Sequence, residues 1–104
     1  MIPAAEKIGL AAIRPEQFTG RIGEHFHFRP SVTPGLLAVL ELMLVTEGPA
    51  CFSLLFRSPV DQGFLSEICD LEHESFHDCG ILLTRVQPPR GLPRDTAYYE
   101  AVFA

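Results

Sequence analysis

The sequence predicts an all-β domain, a small antiparallel barrel or sandwich of about six short strands. Three observations carry that expectation. Apolar and polar residues alternate at period two in several separate runs, most clearly around Phe26 and Phe28 and over Cys51–Arg57. Successive side chains of a strand point to opposite faces, so this alternation marks strands with one buried face. Turn formers punctuate the runs, at Gly48-Pro49, at Pro59 and Gly63, and throughout Gln87-Pro-Pro-Arg-Gly-Leu-Pro-Arg-Asp95. Finally, 104 residues with a hydrophobic fraction of 47% and a charged fraction of 20% suit one globular domain with one ordinary core.

Taken in order, residues 1–17 read as irregular or as a short helical turn. In Arg14-Pro-Glu-Gln-Phe18, Pro15 suits a first helical position, where its missing N–H costs nothing, and Phe18 would anchor the segment to the core. Over Arg21–Arg29, Glu24, Phe26 and Phe28 alternate with His25, His27 and Arg29, the pattern of a half-buried strand. Thr33–Thr46 is ambiguous from its residues. Thr33 can cap, Pro34 can start a helix, and Leu, Ala, Glu and Met favour one. Yet Leu40, Leu42 and Leu44 also alternate with Glu41 and Met43, so a strand and a helix over 34–46 (the α+β alternative) both stand. Gly48-Pro49 then turns into Cys51–Arg57, with Phe52, Leu54 and Phe56 on one face. Cys51 is expected as a small core residue.

After the loop at 58–63, the run 64–73 places Leu65, Cys69 and Leu71 inward and Asp70 and Glu72 outward. Gly80–Val86 is a further strand, and Ala97–Phe103 closes the sheet with Tyr99, Ala101 and Phe103 on one face. The expected core comprises Phe26, Phe28, Leu40, Leu42, Phe52, Leu54, Phe56, Leu71, Leu83, Tyr99 and Phe103.

Phe52-Ser-Leu-Leu-Phe56, Gln62-Gly63, Leu71-Glu-His73 and Tyr99-Glu-Ala-Val-Phe103 occur in an order that resembles a family of small uncharacterised bacterial proteins, a domain of unknown function. The resemblance covers roughly residues 18–104. It implies a strand over 36–46, which favours the all-β alternative. Neither principal motif carries a known chemistry. The resemblance also implies an accessory role beside phage-tail-like assemblies.

Charge and composition narrow the function. Thirteen acids against eight bases give a net charge of −5, which repels phosphate backbones and excludes general nucleic-acid binding. No polybasic cluster points to a membrane surface, no apolar run approaches the roughly 20 residues needed to span one, and the N-terminal residues carry no signal-peptide pattern. Three cysteines without a CxxC spacing read as reduced thiols in a cytoplasmic protein.

The one concentration of reactive side chains is Cys69-Asp-Leu-Glu-His-Glu-Ser-Phe-His-Asp-Cys79. His73, His77, Cys79 and Cys69 are the candidate metal ligands, since zinc takes such residues in closely spaced sets. On a strand, however, the four-residue step from His73 to His77 spans about 13 Å, too far to share an ion. The simpler expectation is a solvated hairpin tip, with Cys69 facing Cys79 if the turn centres near Glu74. His25 and His27 share a strand face about 6.6 Å apart, where a solvated pair is expected opposite Phe26 and Phe28. There is no GxSxG, HExxH or phosphate-cradling glycine loop. The carboxylates Glu67, Asp70, Glu72, Glu74 and Asp78 alternate as solvated positions do, and a dyad of Cys79 with His73 or His77 is the only nucleophile arrangement available. The sequence therefore predicts a non-enzymatic structural or protein-interaction module without a cofactor, meeting a protein partner or a second copy through an exposed strand edge. The alternative is a metal-binding domain.

Overall fold

In the computed structural model, residues 14–32, 37–63, 65–74 and 77–103 are described, apart from the side chains at 77–79. Expectations for residues 1–13, and for Thr33 and Pro34 as a helix start, lie outside the described residues.

The two most strongly alternating segments lie side by side. Strand β3 (Phe52–Ser58) pairs antiparallel with β6 (Ala97–Phe103), so that Phe52 meets Phe103, Leu54 meets Ala101 and Phe56 meets Tyr99. The segments that carry the family resemblance are thus hydrogen-bonded neighbours whose inward residues form one continuous apolar ladder. The remaining strands are β1 (His25–Pro30), β2 (Ala38–Glu47), β4 (Ser66–Glu72) and β5 (His77–Val86), preceded by a one-turn helix α1 (Glu16–Thr19). The six strands close in the order β1-β2-β3-β6-β5-β4 into an antiparallel barrel. This settles barrel against sandwich, and the strand over 38–47 removes the helical alternative there.

All eleven residues expected in the core are buried. Aromatic rings fill the interior. Phe56 meets Phe26 and Phe28 edge-on at 5.7 and 5.0 Å, and Phe52 stacks on Phe103 at 4.9 Å. Phe18, held by the turn of α1, lies 6.0 Å from Phe26 and 6.3 Å from Phe52 and anchors α1 to this interior.

Two bulges explain where simple alternation fails. In β2, Leu42 pairs with Phe56 but Leu44 pairs with Leu55, so Met43 is the extra residue. A bulge bends a strand and shifts its facing by one. Leu44, expected inward, is therefore about half exposed, and Val45 turns to the core instead. The bend falls where β2 passes from pairing with β1 to pairing with β3. In the β4–β5 hairpin, Cys69 pairs with Ile81 while Leu71 pairs with Asp78, so Cys79 and Gly80 together oppose Asp70. Gly80 has φ +77°, a left-handed conformation that costs glycine least.

Three further expectations are corrected. Leu65 precedes β4 and is 75% exposed, because the inward alternation begins only inside the strand. Cys51 is exposed in the β2–β3 turn, one residue before β3, where its carbonyl accepts the Gly48 N–H at 2.7 Å; Cys69 is the buried thiol. The exposed strand edge is also absent, since closure gives every described strand a neighbour on both sides. Only strand ends overhang. The β5–β6 register runs from Leu83↔Ala101 to Val86↔Tyr98, so the early part of β5 and the last residues of β6 extend beyond it. Among the described residues no helix is long and apolar enough to cross a membrane.

Candidate functional site

The hairpin that carries the candidate ligands joins β4 to β5, with Glu72 opposite His77. Its register does not pair Cys69 with Cys79, because the bulge at Cys79–Gly80 moves Ile81 into the facing position. Cys69 is fully buried, and its enclosure, with Glu67 and Asp70 adding to it, pushes the thiol up to about 11. Metals bind the thiolate, so this environment disfavours ligation.

His73 is not a solvated turn residue either. Its ring stacks on Phe26 at 4.3 Å, its side chain is 7% exposed, and its Nε2 lies 2.9 Å from Glu24 Oε1. Arg21 donates to the same oxygen at 3.3 Å. The ring therefore lies beside β1 as part of a packed polar contact. His25 and His27 occupy exposed positions of β1, as expected. The side chains of His77 and Cys79 lie outside the described residues. Among the described residues no three His, Cys, Asp or Glu side chains gather as a metal site would require.

A second polar cluster escaped the sequence, which marks residues 58–63 only as a loop. The Tyr99 ring lies in the core and its hydroxyl reaches that loop, accepting the Gln62 N–H at 2.8 Å and lying 3.4 Å from Asp61 Oδ1. Asp61 accepts the Gly63 N–H at 2.8 Å and pairs with Arg85 of β5. The Gly63 N–H first, then Arg85, holds the Asp61 carboxyl below the usual carboxylate range, whereas burial raises the Tyr99 phenol. Buried Ser58 receives the Gln62 side-chain amide at 2.8 Å. Every polar group named here has a partner within the chain, and together they tie the β3–β4 loop to β5 and β6. The Asp61-x-Gly63 turn was the one signal available, since Asp often accepts the N–H two residues on.

The outer faces differ between the two halves of the barrel. On β1–β2–β3, Arg57 donates to Glu41, its facing residue, at 2.7 Å, and Arg29 donates to Glu72 of β4 at 3.2 Å. Glu41 holds the Arg57 guanidinium above its ordinary value. On β4–β5–β6 apolar residues sit side by side on the outer face, whereas the exposed apolar residues of β2 are Val39 and Leu44. Ile68 faces Leu82 directly, and Val102 of β6 lies one residue past Leu83↔Ala101, the last β5–β6 pair on that side. Ile68, Leu82 and Val102 are 51%, 53% and 61% exposed. Toward β1 the residue level with Ile68 is Ser31, whose N–H donates to the Ile68 carbonyl. Beyond Val102 lies a shallow depression of about 240 Å³ flanked by Glu47, Glu100 and Phe52.

The model of a protein family, the domain of unknown function DUF6916, matches residues 13–103. The chain belongs to this family. The matched range runs from just before α1 to the end of β6, so the DUF6916 domain is the whole described barrel. Neither the curated proteins nor the solved structures contain a match to it.

Proposed function

We propose that this DUF6916 domain is a non-enzymatic interaction module of the bacterial cytoplasm that meets a protein partner through the outer wall formed by β4, β5 and β6. An accessory role beside a phage-tail-like assembly belongs to the same proposal and rests on the resemblance of the chain to its relatives. The carrying observation is the group Ile68, Leu82 and Val102, exposed on a barrel with its own buried core. Leaving three large apolar side chains partly in water is unfavourable, and a partner that covers them recovers about 25 cal/mol for each Å² removed from solvent. The polar clusters at His73 and at Tyr99 have their partners within the chain, which suits supports of the fold better than reacting groups.

The alternative, a metal held by His73, His77, Cys79 and Cys69, has less support. Cys69 is enclosed with its proton, and His73 has its Nε2 committed to Glu24. Stoichiometric zinc or iron in the purified protein, with a thermal midpoint that falls on chelation, would reinstate it.

The interaction reading is tested by comparing Leu82→Asp with His27→Asp, exposed changes on β5 and on β1, which are separated by β4. Each tagged variant is expressed in the native cell and its bound proteins are compared with those of the unaltered chain. A partner retained by His27→Asp and lost by Leu82→Asp is expected. A partner that both variants retain, or that His27→Asp loses, contradicts the assignment of the wall.

A further inference from the structure

The charges around the apolar row state what kind of partner it fits. Four acids on the barrel strands or beside them have a cation within the chain: Glu41 has Arg57, Glu72 has Arg29, Asp61 has Arg85, and Glu24 has Arg21. Asp70 and Glu100 form no ion pair among the described residues, although Arg29 stands opposite Asp70 in the β1–β4 register, and they flank the apolar group on opposite sides. Asp70 lies two residues beyond Ile68 on β4, and Glu100 two residues before Val102 on β6, level with Thr84 and Ser66. Glu47 lines the same depression as Glu100 and adds a third carboxylate there. With strands about 4.8 Å apart and residues about 3.3 Å apart along them, Asp70 and Glu100 are separated by roughly 16 Å on a diagonal that crosses Leu82.

We infer that this wall binds an extended peptide segment of a partner protein that carries two cationic side chains on either side of an apolar one, all on one face. The inference rests on the interaction reading above and names the chemistry of the partner. Residues i and i+4 of an extended chain share a face about 13 Å apart with residue i+2 between them. Lysine or arginine side chains easily span the remaining few ångströms. The apolar residue sits on Leu82, one cation meets Asp70, and the other enters the depression between Glu47 and Glu100. A second copy of this chain fits less well, because each copy brings a net charge of −5 and the same carboxylates to the contact.

Three synthetic peptides test this by fluorescence anisotropy and by amide shifts of the isotope-labelled protein. The first alternates lysine, valine and lysine on one face with threonine on the other. The second replaces both lysines with glutamate, and the third moves the lysines to the threonine face. The first peptide binds at least about tenfold tighter than either other, and it shifts the amides of Ile68, Asp70, Leu82, Glu100 and Val102. The paired change Asp70→Lys with Glu100→Lys transfers the preference to the glutamate peptide. An unchanged thermal midpoint shows that this variant is folded. Equal binding of the first two peptides, shifts confined to another wall, or a preference that survives the paired change overturns the inference. So does a concentration-dependent dimer abolished by Leu82→Asp, which assigns the wall to a second copy. If Leu82→Asp loses a native partner while the peptides fail, the peptide chemistry is wrong and the interaction reading stands. If the partner is also unaffected, both fall.

Discussion

The two walls of the barrel share one interior but treat their outer surfaces differently. The wall of β1, β2 and β3 carries arginine–glutamate pairs, Arg57–Glu41 within it and Arg29–Glu72 at its border with β4. The wall of β4, β5 and β6 carries Ile68, Leu82 and Val102, with Asp70 and Glu100, neither in an ion pair among the described residues, at its margins and Arg29 of β1 opposite Asp70. Cross-strand charge pairs keep an outer face soluble and discourage wrong contacts. An apolar row does the opposite and serves a fold only when something covers it. Where chemistry is sparse, the unequal finish of the two walls is the best guide to what the domain does.

Substitutions inside and outside the walls sharpen this contrast, from large effects to none. Phe56→Ala removes the ring that packs on Phe26 and Phe28 beneath the charged wall, and should cost about 3–5 kcal/mol in urea unfolding. A cost under about 1 kcal/mol would mean that the two walls do not share this interior.

Alkaline pH probes the inside of the apolar wall. The folded chain holds the Cys69 proton to about 11, above the ordinary value of 9.0. A raised folded value means that the stabilisation is complete below 9.0 and is lost as pH rises toward about 11. Tyr99, also raised by burial, acts in the same direction. The urea midpoint should fall over this window, and less steeply in Cys69→Ala. Equal slopes would show that the thiol is not enclosed.

Gly80→Ala places a side chain at φ +77° in the β5 bulge and should cost about 1–2 kcal/mol. The smallest changes are on the outside. Arg57→Ala should lower the urea midpoint slightly, by an amount that fades in concentrated salt. Leu82→Asp should leave the midpoint within about 0.5 kcal/mol of the parent. A large loss from Leu82→Asp would show that the row is part of the fold and not a contact surface.

Much of this architecture was legible in the residues. Alternation with Phe and Leu on one face marked the eleven core positions and the strands other than β2, which stayed open to a helix until the family resemblance favoured a strand, because in a small barrel the inner face must be apolar. What escaped has a local cause. Leu44 faces outward because one extra residue at Met43 reverses the facing of β2, and a bulge leaves no mark in the alternation until strands are paired. Cys79 lost its place opposite Cys69 for the same reason. His73 looked like a turn ligand because its partners, Glu24 and Phe26, lie far away in sequence. The apolar row was invisible because Ile68, Leu82 and Val102 each looked like single exceptions in otherwise polar outward positions. Only the closed strand order, with β5 between β4 and β6, brings them together.

The central claim is that one wall and not the other meets a partner. It is tested most directly by incorporating a photo-cross-linking amino acid at position 82 or at position 27 and irradiating intact cells of the native host. A discrete heavier adduct from position 82 and none from position 27 is the predicted result. An adduct from position 27 alone, or no adduct from either position, would contradict it.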